Sequence, residues 1–375
     1  MLILPLILFL VGFKDPKPSS ENKALASLPD FTIKKLDPFP EAFDAWFNDH
    51  FVFRNSLVAT YNKLFIHEFH FSPKPKLVGL GKENWMFLMN NEVNNFRGKM
   101  PVLNYIFNRS IEEINWRYDT CKSLGVEFVL VVLPSKPTVY SEYLPDYISR
   151  AADSTFTERF FGRVVPKLKC SFIDLRPALI KAKKSKKVFY KSDNHWNNNG
   201  AFVAYKALID SLNAKGYDLS GLPITDCITS DSVFAAGNIS RMIDMELEFK
   251  EEELFIFPNK KKYLQERAKS NYPCPEGFPY CWTYEEVRQG MDTTKPNLLV
   301  FRESFTNDLL MDLLGSSFNR STFIFDSWKH QLDLSIVANE KPDLVICMVM
   351  EGFLDCFSNF PSKPDKRFQR ISEQR

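Results

Sequence analysis

The sequence predicts an α/β fold in which a parallel β-sheet is flanked by helices. Short, continuously apolar runs typical of buried parallel strands recur along the chain, at 128–133, 172–175, 297–301, 322–325 and 344–349. Segments with helical spacing of apolar residues lie between several of these runs, so strands and helices alternate as in a doubly wound sheet. Composition agrees, because 375 residues with 45% hydrophobic side chains suffice for a large core.

The chain divides into four regions by composition. Residues 1–13 are an apolar terminal segment, and residues 361–375 are a polar tail. Residues 14–75 are a linker followed by a helical lead-in rich in Phe and Asn, and residues 76–360 form the body. Within the body, residues 216–294 are less regular, and we expect them to be an insertion between the two halves of a site.

The elements of the body follow from local patterns. A helix is expected from Ser110 to Leu124, because Ser110 and Glu113 have the spacing of a capping box. Apolar residues recur at helical intervals over the same stretch. Further helices are expected after the asparagines at 197–199 and over 307–314, each close to a residue of chemical interest.

The stretch Asp193-Asn194-His195-Trp196 is the most informative motif. In an extended segment, residues i and i+2 project to the same side. Asp193 would then accept a hydrogen bond from one ring nitrogen of His195, while the other nitrogen faces a substrate as a general base requires. An isolated Asp-x-His pair is also typical of a structural hydrogen bond.

Ser304 is the candidate nucleophile. It follows the apolar run at 297–301 and precedes the expected helix at 307–314, so it would lie in the turn at the carboxyl end of a buried strand. Open α/β sheets place ligands at such turns. Backbone N–H groups at the start of the helix would then form part of an oxyanion hole. A helix cap is the alternative role for this serine.

These motifs resemble those of the SGNH hydrolase-like O-acetyltransferases of the AlgJ/AlgX type, which modify exported polysaccharides such as alginate. In that family an Asp-x-His-Trp element precedes the serine, as Asp193 and His195 precede Ser304 here. Residues 134–140 resemble the family's Pro-x-Lys-x-x-x-Tyr segment, and residues 237–242 are similar to a segment near its pocket. The resemblance covers roughly residues 22 to 356 and implies a flavodoxin-like parallel sheet.

The serine element departs from the family pattern. It reads Arg302-Glu303-Ser304 where Gly-Asp-Ser or a close variant is usual. Arginine carries a side chain where glycine permits close backbone approach, so the turn or the oxyanion geometry is expected to differ.

The resemblance implies a catalytic role for three residues, with Ser304 as nucleophile, His195 as base and Asp193 as the group that orients it. Candidates for substrate binding are more speculative. Lys136 and Asn238 are considered as a second oxyanion donor, and Arg302 adjoins the serine. For the aromatic residues, sugar stacking and core packing are equal alternatives; they are Tyr140, Tyr190 and Trp196.

Neither a metal nor another cofactor is expected. The chain has no Cys-x-x-Cys motif, and His67 and His70 lack the four-residue spacing of a zincin helix. Cys274 and Cys281 are compatible with a disulfide and with two free thiols, and both possibilities stay open. Other cysteines in apolar patterns are expected to be buried thiols; they are Cys121, Cys170 and Cys347.

Export is suggested by the apolar residues 2–13, although they lack a positive flank and a cleavage site. We favour an inner-membrane anchor whose first residues are missing, with a cleaved signal peptide and a buried core segment as alternatives. The family resemblance implies a periplasmic location, a polysaccharide acceptor and a membrane-bound O-acyltransferase as acetyl donor. The net charge of +2 gives no reason to expect nucleic acid. The lysines at 181–187 either attract an anionic polysaccharide or form a solvated helix face.

Three functions therefore remain under consideration. The first is transfer of an acetyl group through a serine ester to a polysaccharide. The second is an acetyl esterase of the same type, which differs only in whether water or sugar reaches the acyl-enzyme. The third is a non-catalytic polysaccharide-binding or assembly protein in which Arg302-Glu303 marks a decayed nucleophile turn.

Overall fold

The computed structural model describes residues 8, 11–13, 25–32, 37–234, 237–246, 248–265, 269–326 and 330–359. Its helices are α1 (Phe39–His50), α2 (Arg54–His67), α3 (Asn91–Arg97), α4 (Asn104–Ser123), α5 (Lys136–Val139), α6 (Phe156–Arg163), α7 (Arg176–Ala182), α8 (Asn198–Asn213), α9 (Asn238–Met242), α10 (Lys260–Tyr263), α11 (Asp308–Ser317) and α12 (Leu334–Glu340). Its strands are β1 (Val78–Leu80), β2 (Met86–Leu88), β3 (Glu127–Leu133), β4 (Ser171–Asp174), β5 (Cys227–Phe234), β6 (Glu251–Pro258), β7 (Leu264–Gln265), β8 (Glu285–Gly290), β9 (Leu298–Arg302), β10 (Arg320–Phe325) and β11 (Leu344–Met350).

A seven-stranded sheet in the order β4-β3-β11-β9-β10-β8-β7 forms the centre of the molecule. The five strands from β4 to β10 in that order are parallel, and β8 and β7 extend one edge in antiparallel pairing. Strand β11, the middle one of the five parallel strands, is buried along its whole length, as expected for a parallel strand covered on both faces. The α/β fold predicted from the apolar runs is confirmed.

Alternation along the strands divides the core into two faces. Odd-numbered residues of β3, such as Val129 and Val131, pack on the face covered by α8 and α11. Even-numbered residues, such as Leu130 and Val132, pack on the face covered by α4 and α6. The serine turn after β9 and the loop before α8 lie at the same edge of this sheet, since their side chains are in contact.

The irregular region 216–294 contributes to the central sheet as well as to the edge of the site. Its strands β5 and β6 form a separate antiparallel hairpin, whereas β7 and β8 pair with the main sheet next to β10. A disulfide joins Cys274 and Cys281 within the region. The three thiols expected to be buried, at positions 121, 170 and 347, are buried.

The lead-in contains the expected helices. None of the residues of α1 is buried, while Ile66 of α2 packs against β1, β2 and α9. Most of the apolar terminal segment and the whole polar tail 361–375 lie outside the described residues. Over the part of the chain that the structure describes, no helix is long and apolar enough to cross a membrane.

Candidate active site

Three side chains from two separate loops form a continuous hydrogen-bonded chain. His195 Nε2 lies 2.9 Å from Ser304 Oγ, although the two residues are 109 positions apart in the sequence. His195 Nδ1 lies 2.6 Å from Asp193 Oδ1. Ser304 is exposed, whereas Asp193 is buried, so the chain runs from solvent into the protein. An exposed hydroxyl on an imidazole that a buried carboxylate orients can perform nucleophilic acyl transfer.

The Asp193 loop is bent and does not form the extended segment that the sequence suggested. The Asp193–His195 contact still forms in the bent loop. Asp193 Oδ1 accepts from His195 Nδ1 and also from the backbone N–H of His195, which lies 2.9 Å away. Asp193 Oδ2 accepts from the backbone N–H of Asn238 at 2.7 Å. Burial alone would raise the pKa of Asp193, but the hydrogen bonds from His195 and Asn238 outweigh it and lower that pKa below its usual value.

Two carboxylates of β6 hold the loop in this bend. Glu251 accepts from the backbone N–H groups of Lys191 and Ser192, from the Ser192 hydroxyl and from Lys187 Nζ, all at 2.8 to 2.9 Å. Glu253 accepts from the backbone and side-chain N–H groups of Asn198 at the start of α8. Both glutamates come from the region with the weakest sequence signal, so reasoning from the sequence missed them.

The serine turn is formed without a left-handed residue. No position from Arg302 to Ser304 is among the described residues with positive φ, so the arginine in place of glycine causes no backbone strain. The N–H groups of Thr306 and Asn307 donate to the Glu303 and Phe305 carbonyls. The Asn307 side chain caps α11 by accepting from Leu310 N–H. The N–H groups of Thr306 and Asn307 are therefore occupied, which excludes these two donors from the expected oxyanion hole.

Phe305 holds the histidine ring in place and was not predicted from the sequence. Its ring centroid lies 4.8 Å from that of His195 and 5.2 Å from that of Trp196. Trp196 is 1% exposed and packs edge-on against Phe305, so it is a core residue. Of the two alternatives for Trp196, this burial favours core packing over sugar stacking, because no face of the indole reaches solvent.

The contacts of Lys136 favour a supporting role over that of an oxyanion donor. Its side chain is 1% exposed, and its ammonium donates to the backbone carbonyls of Met86, Lys191 and Asp193. All three N–H donors are therefore used, and none is left for an oxyanion. Burial lowers the pKa of Lys136 to about 7. Lys136 therefore holds in place the bend that carries Asp193.

The remaining predicted binding residues also have partners inside the protein. Tyr140 is buried, stacks on Trp85 and accepts from the backbone N–H of Val188. Tyr190 is 9% exposed and stacks on the Phe234 ring at 3.9 Å.

Arg302 and Asn238 are held in the same way. The guanidinium of Arg302 donates to the Thr283 carbonyl and lies over Phe325, away from the serine. Asn238 supports the loop through Asp193 and through its side-chain contacts with Asn194.

A cleft of about 500 Å³ opens next to Ser304. Its described lining consists of Asn90, Asn91, Glu92, Asn194, Glu303, Ser304, His330, Met350, Phe353, Asp355, Cys356 and Asn359. Its size falls within the range of small-molecule sites, about 300 to 1,000 Å³. Within the described ranges, no three His, Cys, Asp or Glu side chains could share a metal ion.

Residues 78–246, which include Asp193 and His195, match the family described as "SGNH hydrolase-like domain, acetyltransferase AlgX". Curated proteins called "Probable alginate O-acetylase AlgJ" match too. The one from Pseudomonas putida is 27% identical over 146 residues, 39% of this chain and 36% of the relative. The one from Pseudomonas aeruginosa is 26% identical over 190 residues, 48% of this chain and 44% of the relative. Over residues 78–246, this chain is therefore similar to the SGNH hydrolase-like domain of the AlgX family model.

Solved structures agree on the fold. The O-acetyltransferase domain of Pseudomonas putida AlgJ superposes with a TM-score of 0.51 at 19% identity, over 80% of this chain and 99% of that domain. Bacillus cereus PatB1 gives 0.54 at 18% identity, over 75% of this chain and 98% of its own. The resemblance predicted from the motifs is confirmed. The matches span less than half the length of the curated AlgJ proteins, and the family match ends before Ser304.

Proposed function

We propose that this chain is a serine-dependent O-acetyltransferase that modifies hydroxyl groups of an exported polysaccharide. The observation that carries the proposal is the contact of Ser304 with His195 and of His195 with Asp193, at the wall of an open cleft. The names of the relatives, which refer to O-acetylation, support the same reaction class.

In the first step, Ser304 Oγ attacks the carbonyl carbon of the acetyl donor while its proton passes to His195 Nε2. The tetrahedral intermediate then collapses, the bond to the leaving group breaks, and His195 returns the proton to that group. The product is an acetyl ester on Ser304. The negatively charged Asp193 stabilises the imidazolium that forms in between and holds Nδ1 as a donor.

In the second step, a sugar hydroxyl gives its proton to His195 and attacks the ester carbonyl. The bond to Ser304 Oγ breaks, and the serine recovers its proton from His195, so the enzyme is regenerated. The oxyanion in both steps is assigned to the Ser304 backbone N–H and to the side-chain amide of Asn194, which lines the same cleft.

The partners follow from the same proposal. Acetyl groups outside the cytoplasm would come from a membrane-bound O-acyltransferase, and the apolar N-terminal residues would anchor the chain to the inner membrane with its body in the periplasm. The names of the curated relatives refer to alginate, and an exported polysaccharide is the acceptor class carried over to this chain.

An acetyl esterase is the second candidate, because Ser304 is exposed and therefore open to water as well as to sugar. The transferase and the esterase differ in whether the acetyl group ends on sugar or as free acetate. The purified chain is given an activated acetyl ester with and without oligosaccharides, and both free acetate and acetylated sugar are quantified. Transfer that grows with sugar concentration at the expense of free acetate supports the transferase. Free acetate as the only product, at every sugar concentration, would support the esterase instead.

A further inference from the structure

The cleft beside Ser304 has an unusual charge. Three carboxylic acids line it, from Glu92, Glu303 and Asp355, and its described lining contains no lysine or arginine. Glu92 is 2% exposed and Glu303 is 4% exposed. Four asparagines in the lining add uncharged amides, which donate to and accept from hydroxyl groups equally well.

The one basic residue type in the described lining does not offset these acids. His330 lies with Nδ1 3.5 Å from Glu303 Oε1, and burial together with nearby Arg117 lowers its pKa to about 4. Its ring is therefore neutral near physiological pH. None of the lysines at 181–187 is in the described lining, and two of them pair elsewhere, Lys183 with Glu142 and Lys187 with Glu251.

The geometry points to an uncharged sugar as the acceptor that enters this cleft, in contrast to the uronic acids of alginate. A uronate carboxylate in the cleft would lie among Glu92, Glu303 and Asp355 without a described basic side chain to pair with it. Like charges in one desolvated site are strongly unfavourable, and such clashes are how proteins reject a competing ligand. This inference rests on the proposed function, of which it names the acceptor class.

The pKa values of the acids set the pH at which this selectivity is largest. Burial raises the pKa of Glu92 to about 7 and that of Glu303 to about 8, and it raises the pKa of Asp355 as well. These acids are therefore partly protonated near neutral pH and become anions as the pH rises. The penalty for a second anion grows over the same range, whereas a hydroxyl accepts from the protonated form and donates to the ionised form.

Binding without an acetyl donor tests the inference independently of catalysis. The full chain is titrated at low ionic strength and at a pH above about 8, where these acids are ionised, with a neutral gluco-oligosaccharide and with a mannuronate oligomer of the same length. We expect the neutral sugar to bind at least about tenfold more tightly. The difference in affinity between the two sugars should become smaller in Glu92→Gln and in Asp355→Asn, because each substitution removes an acid from the lining.

Asp218→Asn is the matched control, since Asp218 is fully exposed and does not line the cleft. Its ratio of dissociation constants should equal that of the wild type. Mannuronate binding as tight as the neutral sugar would overturn the inference, as would no detectable binding of the neutral sugar. An unchanged ratio in Asp355→Asn would also overturn it, even if Glu92→Gln fails to fold. Failure of the proposed function would show separately, as the absence of an acetyl ester on Ser304.

Discussion

At the scale of single residues, the site depends on a few buried groups that hold a bent loop. Asp193 and His195 are two positions apart in sequence, but their contact requires a bend that is held by Glu251, Lys136 and Asn238. The sequence predicted the pair and the serine as candidates because their residue types are distinctive. It could not predict the supports, since a buried lysine that binds carbonyls is indistinguishable in the sequence from one that binds substrate.

Glu251 gives a direct test of this support. Glu251→Gln removes the ion pair with Lys187 and replaces one acceptor oxygen by a donor that faces the N–H groups of residues 191 and 192. The loop should shift, and a shift of about 1 Å at reacting groups costs up to about 100-fold in rate. We expect kcat for acetate release from an activated ester to fall about 10- to 100-fold, with KM changed less.

Glu252→Gln is the matched control, because Glu252 is the exposed neighbour on the same strand. Its kcat should equal that of the wild type. A Glu251→Gln enzyme with unchanged kcat would show that the loop keeps its bend without this carboxylate.

At the scale of elements, the sequence located the strands better than the ends of the helices. The apolar runs coincide with β3, β4, β9, β10 and β11 because buried parallel strands are apolar without interruption. Helix α4 begins at Asn104, ahead of the capping box expected at Ser110. Ser110 lies inside the helix, where its hydroxyl donates to the Ile106 carbonyl, and Glu113 pairs with Arg117. The two residues had the right spacing, but tertiary contacts decided their roles.

Glu340 at the end of α12 connects several elements, and its effect on stability should depend on pH. It accepts from Arg320 and Thr322 of β10 and from the hydroxyls of Ser270 and Tyr272. Burial opposes its ionisation, but these hydrogen bonds outweigh burial and lower its pKa to about 2. A depressed folded-state pKa stabilises the fold above the unfolded value of about 4.3, and this is lost as the pH falls towards 2.

We therefore expect Glu340→Gln to lower the free energy of unfolding by about 1 to 3 kcal/mol near pH 7. The difference from wild type should shrink steadily below about pH 4. Urea unfolding across this range measures it, with the exposed Glu112→Gln as control. A deficit that stays constant down to about pH 3 would contradict the ionic origin of the effect.

At the scale of the whole molecule, buried acids at the cleft oppose the stability of the fold. Glu303 follows β9, and burial together with Asp326 raises its pKa to about 8. An acid whose folded-state pKa is raised costs stability as the pH rises from the unfolded value of about 4.3 to the folded value. Such conflicts between function and stability are common at active sites.

Glu303→Gln should remove this pH dependence. We expect the variant to unfold at a higher temperature than wild type near pH 9 and at a similar or lower temperature near pH 5. Thermal unfolding monitored by circular dichroism at both pH values checks this. A variant that is equally destabilised at both would show that the Glu303 carboxylate is a net support of the fold.

The sequence predicted the fold of the whole molecule more completely than it predicted the residues that line the cleft. The strand runs sufficed for the sheet, because buried parallel strands are apolar without interruption. The order of motifs and the family resemblance selected three candidate side chains that the structure brings into contact. Which side chains line the cleft depends on burial, and burial is determined by segments that are distant in the sequence. Tyr140, Tyr190 and Trp196 are packed inside the protein, while Glu92 and Asp355 line the cleft.

Intact-mass spectrometry can show whether Ser304 takes up an acetyl group. The full chain is incubated with an activated acetyl ester, alongside Ser304→Ala, His195→Ala and the control Ser185→Ala, whose serine is exposed and distant in sequence. We expect one acetyl group on the wild type and on Ser185→Ala, and none on Ser304→Ala or His195→Ala. An acetyl group that persists on Ser304→Ala, or wild-type protein that gains no acetyl group and releases no acetate, would contradict this expectation.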